Sequence, residues 1–89
     1  MKAIVTVVGK DAVGIIAGVC IELAKHNVNV LDISQTVMQG YFTMMMATDV
    51  SGANVPLAEL ATRMEEAGRE MGLSIRVQRE DIFEAMHRI

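Results

Sequence analysis

The sequence predicts an α+β domain whose elements follow the order β-α-β-β-α-β, with a short helix at the end. Two long segments, 13–26 and 56–71, carry apolar residues at the 3.6-residue spacing of helices. The segments around them are rich in β-branched residues or alternate between apolar and polar residues, as strands do. With 89 residues the chain has the length of one domain, so we expect a single domain over residues 1–89.

The first strand and the first helix meet at a short polar break. Residues 2–9 are β-branched and almost continuously apolar, which is typical of a central strand that is covered on both faces. Asp11 follows this strand, and we expect it to be the N-cap of the helix over 13–26. Asn27 is expected to end that helix in the left-handed conformation. The predicted buried stripe of the helix comprises Ile16, Val19, Cys20, Leu23 and Ala24.

A hairpin is predicted after the first helix. Residues 28–39 indicate a long second strand, and its alternation changes phase around Val30-Leu31, which indicates a β-bulge. Gln39-Gly40 is typical of a tight turn between two strands. Residues 41–50 then return as a third strand, which is apolar on both faces like the first.

The second half of the chain predicts a helix, a strand and a short terminal helix. Pro56 suits the first turn of a helix over 56–71, and Gly72 is expected to end it. Residues 73–79 alternate cleanly, so the fourth strand has one polar face. The helix is expected to bury Leu57, Leu60, Ala61, Met64, Ala67 and Met71. The tail over 81–89 is expected to place Ile82, Met86 and Ile89 on one side of a helix.

This order of elements is that of a ferredoxin-like βαββαβ fold, a four-stranded antiparallel sheet with two helices on one face. Because those helices cover one face only, the first and third strands need a second cover, from the terminal helix or from another subunit. The chain is 52% hydrophobic and 21% charged, which is more apolar material than one small core absorbs. A buried interface in a homodimer or higher homo-oligomer accounts for the excess.

The composition excludes several classes of function. A net charge of −3 and only three aromatic residues argue against nucleic acid and against anionic membrane surfaces as partners. The single cysteine rules out an internal disulfide framework and fits a reducing compartment. No apolar run approaches the roughly 20 residues of a membrane helix. We therefore expect a cytoplasmic protein that binds neither nucleic acid nor a membrane.

The sequence also lacks the usual signs of an enzyme. It offers no recognisable nucleophile–base pair and no metal-ligand spacing. His26 and His87 are far apart and have no ligating partner at helical spacing, and Cys20 lies on the predicted apolar stripe. We expect no catalytic residue, no metal and no cofactor.

The turn between the first strand and the first helix is the strongest candidate site. Unpaired N–H groups and the positive end of the helix dipole make such a corner suitable for a carboxylate or another anion. Simpler explanations stay open at this stage. Asp11 can be a helix cap alone, Gly14 can serve only tight packing of helix on sheet, and Asn29 can be a bulge or edge residue.

Several motifs resemble those of ACT domains. Asp11-Ala12-Val13-Gly14-Ile15-Ile16 is similar to the family's [D/N]-x-P-G-[I/L/V]-[I/L/V] at the first strand–helix turn, and Asn27-Val28-Asn29-Val30 is similar to its G-x-N-[I/V]. The chain more closely resembles the small stand-alone ACT proteins of prokaryotes, an uncharacterised family. That resemblance includes Val8-Gly9-Lys10-Asp11, Asp32-Ile33-Ser34-Gln35, Tyr41-Phe42-Thr43-Met44-Met45-Met46 and Glu80-Asp81-Ile82-Phe83.

The resemblance implies a dimer in which ligand lies between the first turn of one subunit and the second strand of its partner. It implies that Asp11 meets the ligand, that Gly14 permits close approach, and that Asn29 reaches across the interface. Two departures stand out: Val13 replaces the common proline, and Asp11 is anionic where asparagine is frequent, so it would repel a carboxylate and attract an ammonium group. The predicted site comprises Asp11, Ala12, Val13, Gly14, Ile15, Asn29, Val30 and Leu31.

The resulting expectation is a non-enzymatic regulatory module. It would bind an amino acid or similar small metabolite at the dimer interface and modulate a protein partner that the sequence does not name. The alternative is an oligomerisation or adaptor module that binds no ligand.

Overall fold

A computed structural model of the protein describes residues 1–10 and 13–86. Within these ranges the elements follow the predicted order, so the fold class is confirmed. Their bounds are β1 Lys2–Lys10, α1 Ile15–Lys25, β2 Asn29–Met38, β3 Tyr41–Asp49, α2 Leu57–Glu70, β4 Leu73–Arg79 and α3 Glu80–Met86.

The four strands form one antiparallel sheet in the order β2-β3-β1-β4. The central strand β1 pairs with β3 and with β4, so that Val5 lies opposite both Met46 and Val77. β2 and β4 are the two edges of the sheet. This is the strand order of the ferredoxin-like fold that the sequence predicts.

The core lies between one sheet face and the helices α1 and α2. On β1, Val5 and Val7 are fully buried, whereas Ile4 is half-buried and Val8 is 42% exposed. The described residues therefore bury one face of β1, and the cover that the sequence predicts for its second face, from the terminal helix or from another subunit, stays a prediction. The buried side chains of the core are Ala3, Val5, Val7, Ile15, Val19, Leu23, Val28, Phe42, Met44, Met46, Val50, Leu60, Met64, Leu73 and Ile75.

The turns and the bulge agree with the sequence. Gln39 and Gly40 have φ of 51° and 81°, as a type I′ hairpin turn requires. Asn27 has φ of 58° directly after α1, which confirms the left-handed end of that helix. The pairing of β2 with β3 shifts register between Val30 and Asp32, which confirms the bulge.

The start and the buried side of α1 differ from the prediction. The N-cap residue is Gly14, so the assignment of that position to Asp11 is wrong. Ile15 is buried, whereas Ile16 is 38% exposed and Ala24 is exposed. Because α1 is apolar on most of its circumference, the apolar pattern alone does not select the side that faces the sheet.

Helix α2 buries most of the predicted stripe, with one exchange. Gly68 is buried against β4, whereas Met71 lies beyond the helix and is 38% exposed. In α3 the side chain of Ile82 is exposed. His87 and Ile89, which the sequence places on the terminal helix, lie outside the described residues.

Candidate functional site

The corner between β1 and α1 is built around the backbone of Gly14. Its φ of +86° is in the left-handed region, where a side chain costs about 1–2 kcal/mol. A Cβ at this position would meet no atom of the described residues within 4 Å. Gly14 is therefore needed for its conformation, not for close packing of helix on sheet, and the space beside it is open.

Among the described residues, no side chain caps the N-terminus of α1, and the first turn of the helix contains no acidic residue. The first N–H groups of a helix have no partner within the helix, so they are available to an anion. Val13 and Gly14 are exposed beside them, and Ile15 is buried and anchors the turn in the core. Asp11 and Ala12 lie outside the described residues.

The predicted second half of the site lies at the other end of the sheet. Asn29 pairs with Asp49, which pairs in turn with Lys2, whereas the corner follows Lys10, which pairs with Tyr41. Lys2 and Lys10 are eight residues apart, which corresponds to about 27 Å along a strand. One chain therefore does not bring Asn29 to the corner. Asn29 is exposed, Val30 is half-buried and Leu31, at the bulge, is exposed.

The exposed side of α1 lies above the β2 edge. A Cβ added at Gly18 would lie 2.9 Å from the sulfur of Met71, the residue that follows α2. The side of α1 that carries Gly18 therefore faces α2. Ile16, two residues earlier, points about 200° away around the helix. Since α2 packs over β4, Ile16 faces the opposite flank, toward β2. Every residue of β2 from Leu31 to Met38 is exposed.

The family model described as "ACT domain" matches residues 2–78. The chain belongs to the ACT domain family. It is 56% identical over 88 residues to a UPF0237 protein of Bifidobacterium longum, covering 99% of this chain and 98% of that protein. A solved structure titled "ACT domain protein from Streptococcus pneumoniae" has a TM-score of 0.83 and 45% identity, covering 97% of each chain.

A more distant similarity shows the fold alone. The regulatory subunit of aspartate kinase from Thermus thermophilus, in its ligand-free form, has a TM-score of 0.66 and 24% identity. The similarity covers 86% of this chain and 50% of that one. ACT domains are regulatory, ligand-binding modules that commonly dimerise.

In this ACT domain, His26 joins two loops at the end of the sheet remote from Gly14. Its Nδ1 lies 3.4 Å from Asn54 Oδ1, and the backbone N–H of Asn54 donates to the His26 carbonyl at 3.1 Å. The Asn27 amide donates to the Gly52 carbonyl at 2.8 Å. Among the described residues no three ligating side chains are close enough to hold a metal ion, and His87 is not among those residues.

Among the described residues, two carboxyl groups have lowered pKa values, and both lie at that remote end. The backbone N–H of Ser51 donates to Asp49 Oδ1 at 2.9 Å, and this bond lowers the pKa of Asp49 below its usual range. Arg79 donates to Asp81 at 2.6 Å and lowers the pKa of that carboxyl. None of the described helices is long and apolar enough to cross a membrane.

Lys10 is the residue of the corner that the sequence analysis missed. It is exposed at the end of β1, beside Tyr41, and brings a positive charge to the place where β1 leaves the sheet. The available signal was its position between Gly9 and Asp11. Among the described residues, the corner offers the N–H groups at the start of α1 and open space, and Lys10 adds a positive charge at the end of β1, on the sheet face opposite the helices.

Proposed function

We propose that this ACT domain is a non-enzymatic, cytoplasmic ligand sensor that acts as a homodimer. The two copies associate through the outer edge of β2 and the adjacent flank of α1. Each corner binds an amino acid or a similar small metabolite, and ligand binding changes the affinity of the dimer for a protein partner. Over residues 1–89 the chain is a single such domain.

The observation that carries this proposal is the separation of Gly14 and Asn29 within one chain. The corner and the end of β2 at Met38 lie at the same end of the sheet, because Lys10 pairs with Tyr41 and Tyr41 with Met38. If two β2 strands pair antiparallel over their full length, the partner's Asn29 lies opposite Met38. The pairing thus brings Asn29 to the end of the sheet that carries the corner of the neighbouring copy, about 14 Å from Lys10, and a ligand that bridges this gap would occupy two symmetric sites per dimer.

The β2 edge has the properties of a surface that is covered in solution. A ten-residue strand with an unpaired edge is an aggregation hazard unless something pairs with it. Ile33 and Val37 are 42% and 55% exposed, and they share a face with the buried Met46 and Phe42. Ile16 of α1 is exposed on the same flank, so pairing would bury apolar surface and satisfy backbone groups together.

The chemistry of the corner favours a ligand with a carboxylate. The N–H groups at the start of α1 attract an anion, and the charge of Lys10 at the end of β1 adds a longer-range attraction. Asp11, which follows Lys10 in the sequence, attracts an ammonium group and disfavours a ligand that is purely anionic. An α-amino acid carries both charges. A ligand held by both copies stabilises the dimer, because its affinity differs between the paired and the separated state.

Thermal unfolding with a panel of amino acids tests the proposal. A ligand at a hundred times its Kd adds about 2.7 kcal/mol, which raises the Tm of a domain of this size by about 10–20 °C. Gly14→Ala is expected to weaken binding about tenfold, which removes about 1.4 kcal/mol of this stabilisation.

The matched control is Gly72→Ala. Gly72 has φ of +73° and equally open surroundings, and it lies at the same end of the sheet, but on the β4 side of β1, away from the β2 edge where the two copies associate. Both variants lose similar intrinsic stability, and only Gly14→Ala should lose ligand response. If no amino acid at millimolar concentration raises the Tm of the wild type, the ligand-free adaptor is the better description.

A further inference from the structure

The sheet face opposite the helices, here called the open face, has an apolar centre. Strand alternation places Ile4 and Val8 of β1 and Met45 and Ala47 of β3 on it. A shallow depression of about 210 Å³ runs along it toward Asp32 of β2. Val8 and Met45 are 42% and 37% exposed, so the described residues leave this centre accessible to solvent.

Charges of opposite sign flank this apolar centre. Cross-strand partners share a face, and one row across the sheet reads Asp32, Ala47, Ile4 and Gln78. The next row reads Ser34, Met45, Thr6 and Arg76. The β2 side of the open face therefore carries a carboxylate, and the β4 side carries a guanidinium one row away. In addition, Lys2 and Asp49 lie side by side at one end.

We propose that a second copy of this chain covers the open face, with the two-fold axis parallel to the strands. That axis lays β2 over β4 of the other copy and keeps the rows in line, so Asp32 lies one row, about 7 Å along the strand, from the partner's Arg76, a gap that the long arginine side chain can span. It also lays Lys2 over the partner's Asp49. The open face is complementary to itself in this orientation, and two stacked sheets hold their strands within about 30° of each other.

The same charges disfavour the other two-fold arrangement. An axis across the strands lays β4 over β4 and stacks Arg76 on the partner's Arg76. It also brings Lys2 toward the partner's Lys10, because the two lysines end β1 on the same face. Like charges facing each other oppose association, so they select the parallel axis.

The size of the face indicates a weak, concentration-dependent contact. Four strands about 4.8 Å apart and about 27 Å long offer about 500 Å² per copy. The total of about 1,000 Å² is near the lower limit for a specific interface. This contact uses a surface that the β2-edge dimer leaves free, so it goes beyond the function proposed above. Because the two two-fold axes do not intersect, the two contacts together extend an open chain of copies and do not close into a tetramer.

Sedimentation velocity over a range of protein concentrations tests the contact. Arg76→Glu is expected to raise the dissociation constant of the open-face contact about tenfold or more. The double variant Asp32→Arg with Arg76→Asp should recover association to within about threefold of the wild type, since it exchanges the charges across the interface. Arg63→Glu on α2 makes the same charge change away from the open face and should have no effect.

The variants also separate the two contacts. Ile16→Glu should break the β2-edge contact and leave open-face pairs, whereas Arg76→Glu should leave β2-edge dimers. If Arg76→Glu and Arg63→Glu behave alike, or if the charge exchange restores nothing, the open-face contact is refuted. If the wild type is a dimer and only Ile16→Glu dissociates that dimer, the open-face contact is also refuted. If the wild type is a dimer and only Arg76→Glu dissociates that dimer, the open-face contact is supported and the β2-edge dimer is refuted. A monomer at about 100 µM refutes both.

Discussion

Replacing Gly68 by alanine is expected to destabilise the protein, although alanine favours helices. Gly68 lies inside α2 and is buried against β4. An added Cβ would lie 2.8 Å from Ile75 Cγ1 and 3.0 Å from the carbonyl oxygen of Leu73. Ile75 is only 2% exposed, and Leu73 is held in the ladder between β4 and β1, so neither neighbour moves easily.

The magnitude follows from two opposing terms. Alanine gains about 1 kcal/mol over glycine inside a helix. Forcing a methyl group into a packed core costs about 1–3 kcal/mol, and contact with backbone points to the upper end of that range. The net loss is about 2 kcal/mol, which lowers the Tm of a domain of this size by about 8–16 °C.

Urea and thermal unfolding at one fixed protein concentration measure the effect, with Gly18→Ala as the matched variant. Gly18 also lies inside a helix, but its Cβ would meet only the Met71 side chain, whose sulfur would lie 2.9 Å away. Met71 is 38% exposed and flexible, so it can move aside and leave the propensity gain of up to about 1 kcal/mol. Should Gly68→Ala prove as stable as Gly18→Ala, the close approach of α2 to β4 is not a constraint and the reasoning is wrong.

Two further predictions concern assembly and acid stability. Ile16→Glu should convert β2-edge dimers into monomers, as measured by light scattering. Ile21 is 57% exposed on the solvent side of α1, so Ile21→Glu should leave the dimers intact. Equal effects of the two variants would contradict the edge contact. Asp49 has a lowered pKa in the folded state, first through its bond from Ser51, so its contribution is present above the unfolded value of about 3.9. It is lost as pH falls through the lower folded value, and the urea midpoint of Asp49→Asn should therefore fall less steeply below pH 4 than that of the wild type.

Much of the fold could be predicted because its signals are local. Gln39-Gly40 and Asn27 adopt positive φ through their own backbone preferences, and the phase change near Val30 marks the bulge directly in the side-chain pattern. The ends of α2 needed only Pro56 and Gly72. None of these features depends on distant residues, so the sequence contains the information that determines them.

The orientation of α1 and the layout of the candidate site could not be predicted from the same patterns. The apolar side chains Ile15, Ile16 and Ile21 point in different directions around α1, and only contact with the sheet and with α2 determines which of them is buried. Gly14 and Asn29 belong to motifs that suggest one site, but the strand pairing places them at opposite ends of the sheet.

The sequence by itself determined the order of elements and their turns, because backbone preference and side-chain periodicity act over a few residues. Only the tertiary structure decided which face of the sheet is covered, which side of α1 is free and how far Asn29 lies from the corner. Those outcomes depend on strand pairing between residues far apart in the chain, which no local pattern specifies.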